Sequence, residues 1–437
     1  GSRTLREVKT RAVTHSTGAT PVSYTFARDD SGDAARSTHL WTTVDDATGA
    51  GRRKWTFDVN TASTYYGRMT KFEQFSLPAA TLLRQEDFTW TTDITARPYV
   101  ASVLTTIDPG TGNQKQSKVE QTLDKYGNVT LRKLYDFGNL TTPARTYTNI
   151  YATTKPRNKL LEATVTNGAQ TLNLVTNVFD DYSGANSLVP RSGLRNLVAP
   201  LGGDAERGNI TSSTAGGVTT TFRYDVTGMV VTATRGTSSV GVDPANNNVV
   251  PGAITPNSNT NLRETMTYNQ FLGLTQDTAP NNAITAVQYD NAARPTQVTS
   301  PHGAITTFAY TNSPGTQTAT TNGRWTKSTF DGLGRTIKSE SGDAGGTKSI
   351  VDTEYAPCAC SPIGKMKRTS QPYAPGGTVY WTTYTYDGLG RTISVALPSG
   401  TGTSTYVYAG NTVTTTDPAG KWKKFTMDAL GNLTKVT

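Results

Sequence analysis

Three kinds of side chain in this 437-residue sequence could do chemistry: carboxylates, three histidines and one pair of cysteines. A hydrolase needs a nucleophile, a base and a group that orients the base, whereas cleavage of a glycoside needs paired carboxylates. His15, His39 and His302 lie far apart in the sequence, and no Gly-x-Ser-x-Gly motif is present. No glycine-rich loop carries the lysine that binds a phosphate. We therefore expect no catalysis, no cofactor and no catalytic metal.

The carboxylates that stand out belong to one recurring phrase, an aromatic residue followed by Asp, two variable residues and Gly. It reads YDGLGR at 386–391 and FDGLGR at 330–335, and a weaker copy, MDALGN, covers 427–432. Asp at the first position of a type I turn bonds the backbone two residues on, and Gly at the fourth position takes a positive φ at little cost. These carboxylates are therefore predicted to shape turns.

Strand-forming sequence flanks each phrase, which indicates hairpins. β-branched and aromatic residues fill both faces of GTVYWTTYTY at 377–386, and RTISVALP at 391–398 resumes the pattern after the turn. The aromatic marks at 268, 289, 310 and 330 lie 21, 21 and 20 residues apart, which predicts one hairpin per repeat. The predicted repeat positions are Tyr224, Asp225, Gly228, Tyr268, Tyr289, Asp290, Tyr310, Phe330, Asp331, Gly334, Arg335, Tyr386, Asp387, Gly390, Arg391, Asp428 and Gly431.

Further side chains are expected to act beside each turn. The aromatic rings of neighbouring hairpins should stack into a ladder. Arg335 and Arg391 should lie over the ring of their own phrase or reach the Asp of the next copy. Turn sequences also recur at the other hairpin end, as SPHG at 300–303 and DPAG at 417–420.

Cys358 and Cys360, in the sequence APCACSP, are the only two cysteines. Side chains at positions i and i+2 of a strand lie on the same side, so these thiols are neighbours. A bridge between them would close a very small, strained ring. Three states stay open: two free or buried thiols, a disulfide, and half of a metal site that would need two further soft ligands.

Charge and hydropathy restrict the class of protein. The formal net charge is +9, but the basic residues occur in short groups such as Arg52-Arg53-Lys54. Because no block of five or six like charges is present, a nucleic-acid surface is not predicted. No apolar run approaches the length of a membrane-spanning helix, so no membrane span is predicted.

The phrases YDGLGR, FDGLGR and TDPAGKWKKFTMDALGN resemble the YD repeats of Rhs proteins, of Tc-toxin shell subunits and of teneurins. The resemblance is strongest after residue 220, and residues 121–437 are assigned to the repeat strip. Residues 1–120 are predicted to form a divergent hairpin region that continues the strip. Insertions are predicted at 236–261 and 341–375.

This resemblance implies an all-β strip of consecutive antiparallel hairpins that spirals into a partial or complete hollow shell. It implies a secreted or cell-surface scaffold whose partners are the flanking segments of a longer chain, including an enclosed toxin domain or other cargo. An adhesin that binds carbohydrate or protein is the alternative, because six tryptophans and 20 tyrosines supply rings that stack on sugars and anchor interfaces. The open edges of such a strip also predict edge-to-edge self-association.

Overall fold

The computed structural model describes residues 7–14, 21–29, 38–46, 51–154, 157–191, 207–245, 249–358 and 360–437. Within these ranges the chain forms 33 β-strands and three short 3₁₀ helices. No helix in this described part is long and apolar enough to cross a membrane. The predicted all-β class is confirmed.

The strands follow one another along the whole described chain. The first eleven are β1 Thr10–Val13, β2 Val22–Arg28, β3 Trp41–Asp46, β4 Gly51–Phe57, β5 Met69–Ser76, β6 Thr81–Thr92, β7 Pro98–Ile107, β8 Lys115–Leu123, β9 Val129–Tyr135, β10 Arg145–Tyr151 and β11 Leu160–Thr166. The next eleven are β12 Thr171–Phe179, β13 Ile210–Ala215, β14 Val218–Tyr224, β15 Val230–Arg235, β16 Ser238–Ala245, β17 Val250–Pro256, β18 Glu264–Tyr268, β19 Leu274–Thr278, β20 Ile284–Tyr289, β21 Pro295–Thr299 and β22 Ile305–Asn312. The last eleven are β23 Gly315–Thr321, β24 Arg324–Phe330, β25 Thr336–Asp343, β26 Gly346–Cys358, β27 Ser361–Ser370, β28 Trp381–Tyr386, β29 Thr392–Ala396, β30 Thr403–Ala409, β31 Thr412–Thr416, β32 Trp422–Met427 and β33 Leu433–Val436. The 3₁₀ helices are Gly184–Asn186, Thr260–Leu262 and Pro398–Gly400.

Each strand pairs antiparallel with its neighbours in sequence, so the strands form one meandering ribbon. Turns after even-numbered strands lie at one edge of the ribbon, and turns after odd-numbered strands lie at the other edge. The phrases at 290–294, 331–335 and 387–391 follow β20, β24 and β28, and we call their edge the YD edge. The turns at 300–303 and 417–420 follow β21 and β31 and lie at the opposite edge.

The ribbon coils far enough to meet itself. The Gly410 N–H donates to Oδ2 of Asp108 at 2.7 Å, and the Ala429 N–H donates to Oδ1 of Asp136 at 2.8 Å. These partners are 302 and 293 residues apart in sequence. Turns of the YD edge from the later residues therefore lie against turns of the opposite edge from the earlier ones. We call this line of contact the seam.

Two further contacts extend the seam toward the start of the chain. The Tyr24 hydroxyl donates to the carbonyl of Ser361 at 3.4 Å, across 337 residues. Gly388 lies so close to the carbonyl of Phe75 that a Cβ atom at this glycine would overlap it. Partners therefore occur in the same order on both segments, at 24, 75, 108 and 136 against 361, 388, 410 and 429. One coil of ribbon takes between 293 and 337 residues.

A single-layer ribbon has only a thin core. The buried side chains of the described residues include the tyrosines Tyr24, Tyr135 and Tyr224 rather than a cluster of aliphatic residues. Hydroxyl pairs across strands, such as Thr306 with Thr321 at 2.6 Å, join neighbours on the ribbon surface. Apart from the seam, each strand contacts mainly its neighbours in sequence, as in other repeat architectures.

The segments predicted as insertions contain paired strands of the ribbon. Residues 236–261 contain β16 and β17, which pair in the regular antiparallel manner. Residues 341–375 contain β26 and β27, two strands of 13 and 10 residues. Both segments lack a clear hydrophobic alternation, but a strand on each side supplies backbone partners, and this pairing outweighs weak local propensity. Residues 1–120 hold strands β1 to β7 and most of β8 of the same ribbon.

Candidate functional site: the turn module and the seam

The turn after β28 shows how one repeat is built. Oδ1 of Asp387 accepts the backbone N–H groups of Leu389 at 3.0 Å and of Arg391 at 2.9 Å. The Gly390 N–H donates to the Asp387 carbonyl at 2.8 Å, and Gly390 has a φ of 78°. Strand register shifts at Tyr386, which marks a β-bulge. One carboxylate thus satisfies two backbone donors, and glycine occupies the left-handed position.

The same pattern recurs at four further positions predicted from the sequence. In each, Oδ1 accepts the N–H groups two and four residues on, at 2.8 to 3.0 Å. These carboxylates belong to Asp225, Asp290, Asp331 and Asp428. The left-handed residues have φ between 61° and 93° and are Gly228, Ala293, Gly334 and Gly431. The backbone geometry is therefore shared even where alanine replaces glycine.

An arginine connects each complete turn to the next repeat. Nε of Arg391 donates to Oδ2 of its own Asp387 at 2.7 Å, and the guanidinium carbon lies 4.2 Å from the ring centre of Tyr408. The other two such pairs are Arg294 over Tyr310, at 4.5 Å, and Arg335 over Tyr355, at 4.1 Å. Both arginines also bond their own Asp. Each guanidinium therefore joins one carboxylate to the ring of the following repeat.

This placement corrects the expectation for Arg335 and Arg391, which was wrong in both of its forms. Each arginine directly precedes a return strand, and the next neighbour of that strand carries the following tyrosine. The guanidinium therefore covers the following ring and pairs with the preceding Asp. Rings alternate with cations, so they do not stack directly; where the turn lacks an arginine, Phe271 packs edge-on against Tyr289, with ring centres 5.4 Å apart.

The tyrosine hydroxyl completes the module. Tyr408 donates to the carbonyl of Thr392 at 3.1 Å, and Thr392 directly follows Arg391. Five other tyrosines donate to a main-chain carbonyl of the preceding strand, at 2.7 to 3.3 Å. These pairs are Tyr224 with Ile210, Tyr289 with Leu274, Tyr310 with Pro295, Tyr355 with Thr336 and Tyr386 with Met366. Contacts thus run from Asp to Arg, to the next Tyr and back to the backbone.

Three predicted positions depart from this module. The hydroxyl of Tyr268 lies 3.5 Å from Sδ of Met266 instead of a carbonyl. Phe330 has no hydroxyl, although the Asp turn that follows it is complete. The hairpin of Tyr310 ends at the cis peptide bond before Pro314 and has no Asp turn.

Two participants in the module, Tyr355 and Arg191, were not predicted from the sequence. Tyr355 receives Arg335 but is followed by no Asp, so only its place between the marks at 330 and 386 could have revealed it. Asp225 is fully buried, and its turn has Met229 where an arginine is usual. Nε of Arg191, from the connection after β12, donates to Asp225 at 2.9 Å and supplies the missing cation.

A further copy lies in the region where none was predicted. Oδ1 of Asp93 accepts the N–H groups of Thr95 at 2.7 Å and of Arg97 at 3.0 Å, and Ala96 has a φ of 61°. The signal is the shared phrase Asp-x-x-Ala-Arg-Pro, which occurs at 93–98 and again at 290–295. The aromatic-Asp phrase does not match this copy, because threonine precedes Asp93 where most other copies have an aromatic residue.

At Asp290 and Asp331 the module favours the charged form of the carboxylate. For Asp290, the backbone N–H of Arg294 is the main cause of a lowered pKa, and the guanidinium adds to it. For Asp331, burial acts to raise the pKa, but hydrogen bonds from Arg335 outweigh it and the pKa is lowered. The stability from such groups is present above their unfolded pKa and is lost as the pH falls through the lowered folded value. Neither carboxylate is left free to act as a base.

One further pair of carboxyl groups lies close together in the described part of the chain. A hydrogen bond with Asp277 raises the pKa of Glu264, so two carboxyl groups do meet on β18 and β19. This pair does not line the cavity of about 690 Å³ beside the seam, whose walls include Phe88, Val103 and Arg391. No group of three or more His, Cys, Asp or Glu in the described ranges could hold a metal ion.

The two cysteines form a disulfide, with their Cα atoms 5.1 Å apart. Of the three states that the sequence left open, the structure therefore shows the bridged one. Cys358 ends β26 and is 7% exposed, and Cys360 immediately precedes β27. The bridge thus lies at the tip of a hairpin on the YD edge.

Comparison with solved structures identifies the architecture. The chain superposes on crystal structures of TcdB2-TccC3, of TcdB2-TccC3-Cdc42 and of TcdB2-TccC3 without its hypervariable C-terminal region, with TM-scores of 0.68, 0.69 and 0.68. Sequence identity is 10–11%, and each superposition covers 95% of this chain. The fold is that of a YD-repeat shell strip.

The chain matches only part of each of these YD-repeat structures. The chain spans 33–35% of the length of these three structures, about one third. No family model matches the sequence, and no curated protein is recognisably similar to it. At this identity, the comparison establishes a shared fold.

Proposed function

We propose that this chain is a structural wall segment of a YD-repeat shell, which in a longer protein encloses a toxin domain or another cargo. The observation that carries the proposal is the seam. A ribbon that meets itself after one coil forms a continuous wall, whereas an open strip would not separate an interior from solvent. The module explains how successive hairpins keep the angle that such a coil needs.

The same geometry argues for a role without catalysis. The prominent carboxylates hold turn N–H groups, and in the complete copies they also hold an arginine. A structural wall needs only that these contacts persist. A secreted or cell-surface location is part of the proposal, because a disulfide such as Cys358–Cys360 forms and persists in oxidising compartments.

Small-angle scattering and protease protection test the wall. We expect a scattering envelope with a hollow or cleft interior and a radius of gyration above that of a compact protein of 437 residues. In the longer chain, segments that follow the repeats should resist protease. Opening the seam with Gly388→Ala should expose them, while Gly112→Ala should not, because no atom lies near a Cβ at Gly112. A compact envelope together with an unprotected following segment would rule out the wall.

A glycan-binding function is a second proposal, and exposed aromatic residues on the later strands favour it. Trp422 is 58% exposed and Tyr380 is 48% exposed, and rings of this kind stack on sugars. A glycan-array signal should disappear with Trp422→Ala and persist with the turn variant Asp417→Ala. Absence of any signal for the unaltered chain would remove this candidate.

Self-association through an open ribbon edge is the remaining proposal about partners. In the described chain β33 pairs with β32 on one side, and Leu433 and Val436 are 57% and 51% exposed. A strand that has one unpaired edge and exposed apolar residues favours pairing with another chain. Light scattering should show concentration-dependent dimers, which a charged substitution, Leu433→Lys, should reduce. A strict monomer at high concentration would contradict this.

A further inference from the structure

The disulfide lies where three parts of the ribbon meet. Ser361, next to Cys360, accepts the hydrogen bond from Tyr24 of the first coil. Cys358 also lines a cavity of about 140 Å³ together with Asp46 of the first coil and Asp387 of the next YD turn. The hairpin tip between β26 and β27 therefore touches the earlier coil on one side and the turn at 387–391 on the other.

Contact with the next turn is close and direct. A Cβ atom at Gly390 would lie 2.6 Å from Cβ of Cys360, so glycine is required there for space as well as for its φ of 78°. Nζ of Lys365, on the return strand of the same tip, donates to the carbonyl of Gly390 at 2.6 Å. The bridge and Lys365 together hold the turn at 387–391 from one side.

The small size of the ring indicates what this disulfide does. A bridge between residues two apart removes little loop entropy from the unfolded chain, compared with one that closes a long loop. Its effect on global stability is therefore expected to be small. Its main effect is on the shape of the tip, because it fixes both Cys360 against Gly390 and the carbonyl of Ser361 that accepts from Tyr24.

We propose that the Cys358–Cys360 disulfide is a redox-sensitive clamp of the seam. In the oxidised form it holds the tip against the first coil and against the turn at 387–391. A dithiol reductant attacks Sγ of Cys360, the less buried sulfur, and Cys358 leaves as a thiolate and takes a proton. The second thiol of the reductant then releases Cys360 and closes the reductant into its own disulfide. Two electrons and two protons pass to the protein, and both contacts of the tip loosen.

Hydrogen exchange followed by mass spectrometry tests the clamp on the whole chain. The protein purified without reductant is compared with the same protein after dithiothreitol, and alkylation mass counts the free thiols in each sample. We expect none before reduction and two after it. Amides at 388–391 and 22–26 should then exchange about tenfold faster. Amides of β18 to β21, which lie away from the seam, should be unchanged and serve as the internal control.

A variant provides the matched control. The double substitution Cys358→Ser with Cys360→Ser should show the fast exchange without reductant and no response to it. If that variant does not fold, the reduction of the unaltered chain still decides the matter. Two free thiols in the unreduced protein, resistance to millimolar dithiothreitol, or unchanged exchange at 388–391 after full reduction would each overturn the clamp. These outcomes concern the seam alone and do not depend on whether a cargo is enclosed.

Discussion

Strands β4 to β8, near the start of the ribbon, are longer than strands β18 to β21 of the regular repeats. β6, β7 and β8 have 12, 10 and 9 residues, whereas β18, β19 and β21 have five each. Both regions belong to the same ribbon and use the same antiparallel pairing. They therefore show two ways to fix the register of a single-layer sheet.

In β4 to β8, register is spread over many cross-strand pairs. Lys54 lies 3.8 Å from Glu73 on the adjacent strand, and Trp55 packs on Phe72 with ring centres 5.4 Å apart. A five-residue strand has too few such pairs, so its register depends on the turn. The repeats accordingly concentrate their specific contacts in the Asp, Arg and Tyr module. This comparison predicts that turn damage costs more in the repeats than between the long strands β4 to β8.

The largest effect is expected for Gly390→Val. A β-branched residue resists a φ of 78° and would also overlap Cys360, which together should cost about 3–4 kcal/mol in local stability. Gly420→Val is the matched control, because its φ is 80° and its surroundings are open. Hydrogen exchange near each site should show the control to be less destabilised. Equal losses would mean that the crowding at Gly390 contributes nothing.

A comparison of two carboxylates tests the difference between the regions directly. Asp331→Ala should cost about 2–3 kcal/mol in local stability. Asp331 is 7% exposed, and its removal leaves two backbone N–H groups without their acceptor and Arg335 without its carboxylate partner. Asp93→Ala should cost less, since the long strands β6 and β7 flank an exposed turn. Asp331→Asn should recover part of the loss by keeping the backbone acceptor. A larger effect at Asp93 would break the comparison.

The seam substitution Gly388→Ala should have an intermediate effect. No positive φ is involved, so the expected cost of about 1–2 kcal/mol comes from overlap with the Phe75 carbonyl alone. Exchange should rise at 74–80 as well as at 387–391, because both sides of the seam are released. If only the mutated turn responds, the two coils are not energetically coupled.

The smallest effect is expected for Tyr310→Phe. It removes the hydroxyl that donates to Pro295 and keeps the ring under Arg294, so about 1 kcal/mol should be lost. Tyr268→Phe should lose less, because the Tyr268 hydroxyl lies against Sδ of Met266 instead of a carbonyl. Thermal unfolding of the two variants side by side provides the measurement. An identical shift for both would show that the hydroxyl-to-carbonyl bond adds nothing.

Local chemistry made much of the fold predictable. An Asp with Gly or Ala three residues later specifies its turn through hydrogen bonds within five residues, and alternating β-branched residues specify the strands around it. For this reason the all-β strip followed from the sequence. The copy at Asp93 and the ring of Tyr355 were missed because one half of the aromatic-Asp phrase is absent at each.

The sequence by itself determined where the hairpins turn and that they follow one another, because those choices are made by residues a few positions apart. Only the tertiary structure decided which ring each arginine covers, how Cys358 and Cys360 are paired, and where the ribbon meets itself. The seam joins Asp108 to Gly410 across 302 residues. Its location depends on the summed twist and coil of all the intervening hairpins, and no local pattern records that sum.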